Sequence, residues 1–160
     1  MMQIRVIAVG KIKEKYLKEG IAEYEKRLRP YVKLQLIELT EEKRSQPASP
    51  AIESAAMEKE GERILAAIPG GALVIALDIK GQSWSSGDLA DAFRVWELAG
   101  RSYVAFIIGG DLGLSPAVLA RSDLRISLSQ MTFTHPMARL ILLEQVYRAC
   151  RINSGEPYHK

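Results

Sequence analysis

The chain has 160 residues, of which 48% are hydrophobic and 26% charged, with a formal net charge of +3. Such a length suits one ordinary domain around a single core, and the balance excludes a disordered or fibrous chain. The single cysteine, Cys150, excludes an internal disulfide framework, two histidines offer poor material for a zinc site, and no apolar run reaches the roughly 18 residues of a membrane span.

The N-terminal stretch MMQIRVIAVGKIKEK has too short an apolar run for a signal peptide and no small-residue cleavage site after it, so the cytoplasm is the expected compartment. Its residues QIRVIAVG alternate and are β-branched, which predicts a first strand. In KEKYLKEGIAEYEKRLRP, Leu17, Ile21, Tyr24 and Leu28 fall at helical spacing, and Pro30 ends the pattern. VKLQLIEL alternates again as a second strand. TEEKRSQPASP is polar, holds two prolines, and predicts a mobile loop. Residues 51–68 read as a helix with Ile52, Ala56, Ile64, Leu65 and Ile68 toward the core, stopped by PGG.

ALVIALDI is continuously apolar, as in a strand covered on both faces. KGQSWSSGD reads as a loop, and Leu89, Ala92, Phe93 and Trp96 mark a helix closed by Gly100. YVAFIIGG is a further buried strand. Ser115 and Pro116 are an N-cap and a first-position proline, starting a short helix to about Ser122. LRISLS is a fifth strand, and Pro136 opens a long helix to about Ile152. The order predicts a single α/β domain over residues 1–160, with a largely parallel sheet and helices on both faces.

In open sheets of this kind ligands bind beyond the carboxyl ends of the strands. Three loops leave such ends: 78–86, 109–115 and 129–136. The turn GGDLG matches neither a dinucleotide fingerprint nor a phosphate loop. Its glycines serve either a sharp turn alone or a ligand lying close to main chain. The loop SQMTFTHP carries small, apolar and hydroxyl side chains, fit either for a plain connection or for offering backbone groups to an adenine edge. His135, just before the helix-opening proline, can cap and pack, act as a base or contact phosphate. The last helix is apolar on more than one face, through Leu140, Ile141, Leu142, Leu143, Val146 and Tyr147, so a second subunit is an economical cover for it. The terminal GEPYHK places an aromatic ring and an imidazole beside a lysine, which suits a stacked base and its phosphate if the terminus is ordered.

Charge is unevenly spread. Residues 1–45 hold 11 Lys and Arg against 7 Asp and Glu, residues 46–138 hold 7 against 10, and residues 139–160 hold 4 against 2. Basic ends around an acidic middle suit a polyanionic partner held by both ends of the chain, or ordinary solubility.

LDIKG, FIIGGDLGLS, the run from LRISLSQMTFTHP through MARLILLEQVYRACRI, and the terminal EPYHK occur in one order. That ordered set resembles the RlmH family of large-subunit ribosomal RNA pseudouridine N3-methyltransferases, of the SPOUT class, over essentially the whole chain. One departure is Thr134, where many members place proline. The resemblance implies an α/β fold with a C-terminal trefoil knot and a homodimer whose sites are completed across the interface. It also implies S-adenosylmethionine (SAM) as cofactor and ribosomal RNA within the ribosome as partner, rather than DNA or a membrane. The family's cofactor contacts fall on Leu77, Gly109, Leu128, Ser129, Gln130, Met131, Thr132 and Phe133, and Gly110 of the same turn is a further cofactor-binding candidate. Catalytic candidates are His135, Tyr158 and His159, with Arg139 to stabilise an anion. Lys11, Lys13, Lys15, Arg148 and Arg151 are expected to meet RNA phosphates. The competing expectation is a non-catalytic ribosome- or RNA-binding protein. A phosphate-handling enzyme of another α/β class is disfavoured, since no phosphate loop or carboxylate cluster is present.

Overall fold

In the computed structural model, which describes residues 1–45 and 47–160, strands and helices alternate along the chain. They are β1 (Met2–Val9), α1 (Lys15–Leu28), β2 (Val32–Leu39), α2 (Pro50–Ala67), β3 (Leu73–Ser83), α3 (Ser86–Leu98), β4 (Tyr103–Ile108), α4 (Pro116–Arg121), β5 (Leu124–Ser127) and α5 (His135–Asn153). All strand pairs are parallel, in the order β2-β1-β4-β3-β5. The expected α/β class and largely parallel sheet are what the chain forms.

Serine starts three of the helices. Ser49 accepts the N–H of Ile52 with Pro50 at the first position, and Ser115 accepts that of Val118 ahead of Pro116. Ser85 and Asp88 exchange side-chain bonds with each other's backbone N–H in a capping box. Each such cap is worth about 1 kcal/mol. The box starts α3 within the stretch expected to be loop, and β3 also runs further into that stretch, to Ser83.

The sheet divides the core in two. Ile4, Val6 and Ala8 of β1 face α1, α3 and α5, together with Ile75, Val104 and Phe106. Ile7 and Val9 face α2 and α4, with Val74, Ala105, Ile107, Ile64 and Val118. Helices therefore cover both faces. Fully buried side chains such as Phe106, Ile75 and Leu142 each stabilise the fold by roughly 1.5–3 kcal/mol.

Three expectations change. Ile52 is not a core residue but is 42% exposed near the start of α2. The segment after β2 is held rather than loose: Arg63 donates to Thr40 O and to Glu42, and Glu42 N–H donates to Glu60. Gln46, in the same expected loop, lies outside the described residues. Helix α5 buries Leu142, Leu143, Val146, Tyr147, Ala149 and Cys150 within its own chain, between α1 and α3. Leu140 and Ile141 are both part-exposed, Leu140 packing against the core. Among the described residues no helix is long and apolar enough to cross a membrane.

Candidate active site

Strand β3 exits toward α3 on one face of the sheet, while its neighbour β4 exits toward α4 on the other. Connections that leave adjacent parallel strands on opposite faces open a crevice between them. Here it is a cleft of about 800 Å³, lined by Leu77–Ile79, Ile108–Leu114 and most of Ser127–Pro136, with Glu14, Leu119 and Ala138. Strand β3 feeds it through an irregularity: Ile126 of β5 pairs with both Leu77 and Gln82, so residues 78–81 bulge out. Gly81 allows this, because a Cβ there would stand 2.6 Å from the Arg125 carbonyl carbon.

The glycine turn closes on itself. Gly113 donates its N–H to Gly110 O at 3.1 Å and takes a φ of +85°. A Cβ on Gly109 would lie 2.8 Å from the Gly113 carbonyl carbon. Turn closure alone therefore accounts for Gly109 and Gly113, and the same closure turns Gly109–Gly113 toward the cleft as nearly bare main chain. The second loop is braced by its own hydroxyls: Ser127 Oγ donates to Ser129 O at 2.8 Å, and Ser129 Oγ accepts from Met131 N–H at 3.0 Å.

Behind the glycine turn lies a charged brace that the sequence did not reveal. Arg44 donates to both carboxylate oxygens of Asp111, at 3.3 and 2.7 Å. Its guanidinium holds Asp111 below the usual carboxylate range, while burial and the neighbouring Asp111 push Glu41 up. Glu60 of α2, only 2% exposed, accepts from Glu42 N–H through Oε2 at 3.0 Å; its Oε1 is buried without a partner among the described residues. No local pattern announces Glu60, since a charge on a helix face usually reads as solvated.

His135 lines the cleft and sits against the end of β1, where a Cβ on Gly10 would come within 2.7 Å of its Cε1. Gly10 has a φ of +101°. Beneath the ring, Arg139 is buried. Its Nη1 donates to Glu38 Oε2 at 2.9 Å, and its Nη2 meets Gly10 O, Val9 O and His135 Nδ1 at 2.6, 3.1 and 3.0 Å. Burial, then the Arg139 charge, lowers the His135 pKa; burial also lowers that of Arg139, against the pull of Glu38.

The residues anticipated for the cofactor gather here, with one difference. Leu77, Gly109, Gly110, Leu128, Ser129, Met131, Thr132 and Phe133 line the cleft, whereas Gln130 is exposed and is not one of its lining residues. Of the catalytic candidates, His135 is at the cleft. Arg139 backs it without lining it, its Nη donors already engaged. Tyr158 and His159 do not line the cleft of their own chain. Tyr158 OH bonds Glu144 at 2.6 Å and its ring packs edge-on against Tyr147 beneath Arg148; burial and Glu144 push its pKa up. His159 Nδ1 lies 3.2 Å from Arg148 Nη1. The tail is ordered by Glu156, which accepts from Tyr31 and Arg151. Arg148 and Arg151 are thereby occupied by Glu144 and Glu156; Lys11, Lys13 and Lys15 are exposed on either side of cleft-lining Glu14, Lys15 in a solvent-exposed pair with Glu19.

The family description "Predicted SPOUT methyltransferase" matches residues 2–159. The chain belongs to the SPOUT methyltransferase family. A Carboxydothermus hydrogenoformans protein named ribosomal RNA large subunit methyltransferase H is 54% identical over 99% of this chain and 100% of its own length. One of the same name from Alkaliphilus oremlandii is 55% identical with the same coverage. A Methanoregula boonei protein that bears this name in provisional form is 64% identical, again over 99% of this chain and 100% of its own. In this SPOUT methyltransferase, then, the cleft combines apolar walls, unshielded peptide groups and one imidazole. Such a lining suits a flat heterocycle with a polar tail, and among the described residues no group of His, Cys, Asp and Glu gathers as a metal site requires.

Proposed function

We propose that the protein is a SAM-dependent methyltransferase acting on N3 of a pseudouridine in large-subunit ribosomal RNA, on the assembled ribosome. The observation that carries this is the cleft at the β3–β4 divergence, where a bare glycine turn faces the braced Ser127–Phe133 loop. The names of the relatives support the ribosomal substrate. The lining fits the cofactor: Leu77, Leu128, Met131 and Phe133 supply apolar contact for an adenosyl group, and the peptide groups of residues 109–113 and 128–132 supply donors and acceptors for its edges. When bound, the cofactor supplies a methyl group on cationic sulfur, which passes to N3 as the N3 proton leaves to water and the carbon–sulfur pair stays on sulfur.

The protein's share is alignment and stabilisation of the N3 anion, whose formation at neutral pH costs roughly 3–4 kcal/mol at about 1.36 kcal/mol per pKa unit. Lys11, Lys13 and Lys15 beside the cleft hold RNA phosphates, which position the substrate without reading its sequence. The protein acts as a homodimer. Met131 and Ile79 are exposed apolar residues of the cleft lining, Ile141 of α5 is part-exposed, and a partner's Tyr158–His159 tail would complete a site that this chain's own tail does not reach.

Labelled SAM, ribosomes lacking the modification, and mapping of the labelled nucleotide test the proposal, run with and without prior pseudouridylation. Label at one pseudouridine N3, dependent on pseudouridylation, is expected. No transfer together with no SAM binding by calorimetry would instead favour a non-catalytic RNA-binding protein. Sedimentation of the Ile141→Arg variant tests the dimer: an unchanged mass against wild type removes Ile141 from the interface.

A further inference from the structure

His135 and Arg139 stand one turn apart at the start of α5, and the guanidinium dictates how the imidazole can be protonated. Arginine has N–H donors and no acceptor. Arg139 Nη2 lies 3.0 Å from His135 Nδ1 and shares its two N–H groups among that nitrogen, Gly10 O and Val9 O, so a lone pair at Nδ1 is the arrangement this donor-only group favours. A neutral imidazole that accepts at Nδ1 carries its proton on Nε2. The other tautomer would set two donors against each other, and the imidazolium would add a second positive charge at hydrogen-bond distance from the first.

Neither partner is free to escape. Arg139 is 7% exposed and fastened to Glu38, to Gly10 O and to Val9 O. The ring is confined by the bare Cα of Gly10, where no Cβ fits. The charged groups around the ring come from four elements: Arg139 of α5 disfavours its protonation, whereas Asp111 of the glycine turn, Glu14 before α1 and Glu38 of β2 favour it. Burial and Arg139 prevail.

We infer that Arg139 locks His135 as the Nε2–H tautomer, and that His135 serves the cleft as a neutral hydrogen-bond donor to an imide carbonyl of the target base rather than as a general base. The identity of that acceptor rests on the function proposed above. Loss of the N3 proton spreads negative charge onto the two flanking carbonyl oxygens, and a fixed donor strengthens as that charge develops. Arg139 is thus a positioning residue, acting only through the ring.

Two measurements test this, and the first needs no substrate. In a long-range proton–nitrogen spectrum of the nitrogen-15-labelled wild-type protein at about pH 7.5, His135 should show an unprotonated Nδ1 and a protonated Nε2. The Nδ1–H tautomer, an even mixture or an imidazolium there overturns the inference. The second compares methyl transfer to unmodified ribosomes by two variants. His135→Gln keeps an N–H donor near the Nε2 position without basicity and should retain kcat within about tenfold, whereas His135→Ala should lose about 100-fold or more, both measured at saturating SAM. Equal loss in both variants makes the ring a base and overturns the donor role. If wild type itself transfers nothing to ribosomal RNA, the proposed function fails, and the spectrum still decides the tautomer.

Discussion

Gly10→Ala is the sharpest test of how the end of β1 shapes the cleft. Two penalties coincide there. A residue with a side chain at a φ of +101° carries about 1–2 kcal/mol of backbone strain. The new Cβ would also stand 2.7 Å from His135 Cε1 and 3.0 Å from Nε2, so the ring must move and give up its 3.0 Å contact with Arg139. A hydrogen bond to a charged group is worth about 1.5–3 kcal/mol. Together these destabilise the variant by roughly 2.5–5 kcal/mol, or about 5–20 °C in melting temperature for a chain of this size. Gly71→Ala is the control, because Gly71 has a φ of +78° with nothing within 4 Å of its would-be Cβ. That variant should lose about 1–2 kcal/mol only. Thermal denaturation of both, with the imidazole resonances of His135, gives the comparison. Equal melting temperatures with unmoved His135 resonances would refute the role assigned to the ring contact.

Other perturbations probe the brace and the core. Glu60→Gln keeps an acceptor for Glu42 N–H, so its urea midpoint should hold; Glu60→Ala strands that N–H and should lose about 1–3 kcal/mol. Burial and Asp111 hold the Glu41 carboxyl above its ordinary 4.5, so the folded state favours its protonated form and loses that contribution as pH rises through the raised value. Glu41→Gln should therefore stabilise the protein at neutral pH, with the gain shrinking toward pH 4.5 and below; a gain independent of pH would contradict this. Asp111 has the opposite sign: its contribution stands above its ordinary 3.8 and fades as pH falls below it. Burial pushes the Cys150 thiol up to about 12, so an aromatic disulfide reagent at about pH 8 should label it only as fast as the chain unfolds. Immediate labelling of the native protein would show that the α3–α5 seam is open.

Local chemistry wrote much of this architecture into the chain. Alternating or continuous apolar runs marked five strands, because a pleated strand shows its burial every second residue and a doubly covered one shows it at every residue. The Ser115–Pro116 pair marked α4, because a hydroxyl cap and a fixed φ act within one turn, whereas the like pair Ser49–Pro50, which starts α2, sits in the stretch expected to be loop. The glycine turn, the loop after β5 and His135 were legible as candidates for the same reason: each follows a strand end or opens a helix. The strand order, by contrast, was decided by tertiary packing. It places the β3 and β4 exits on opposite faces and so makes the cleft. Helical spacing alone sets Arg139 one turn from His135, but only the fold could bring Gly10 and Glu38 to Arg139, or Arg44 and Glu60 behind the glycine turn, since these partners lie far apart in the chain and leave no periodic trace. The same holds for the tail, whose Tyr158 was readable as an aromatic beside charges but whose docking on Glu144 and Tyr147 depends on α5 lying between α1 and α3. Short-range rules specify elements, and burial of charge against distant main chain specifies the site.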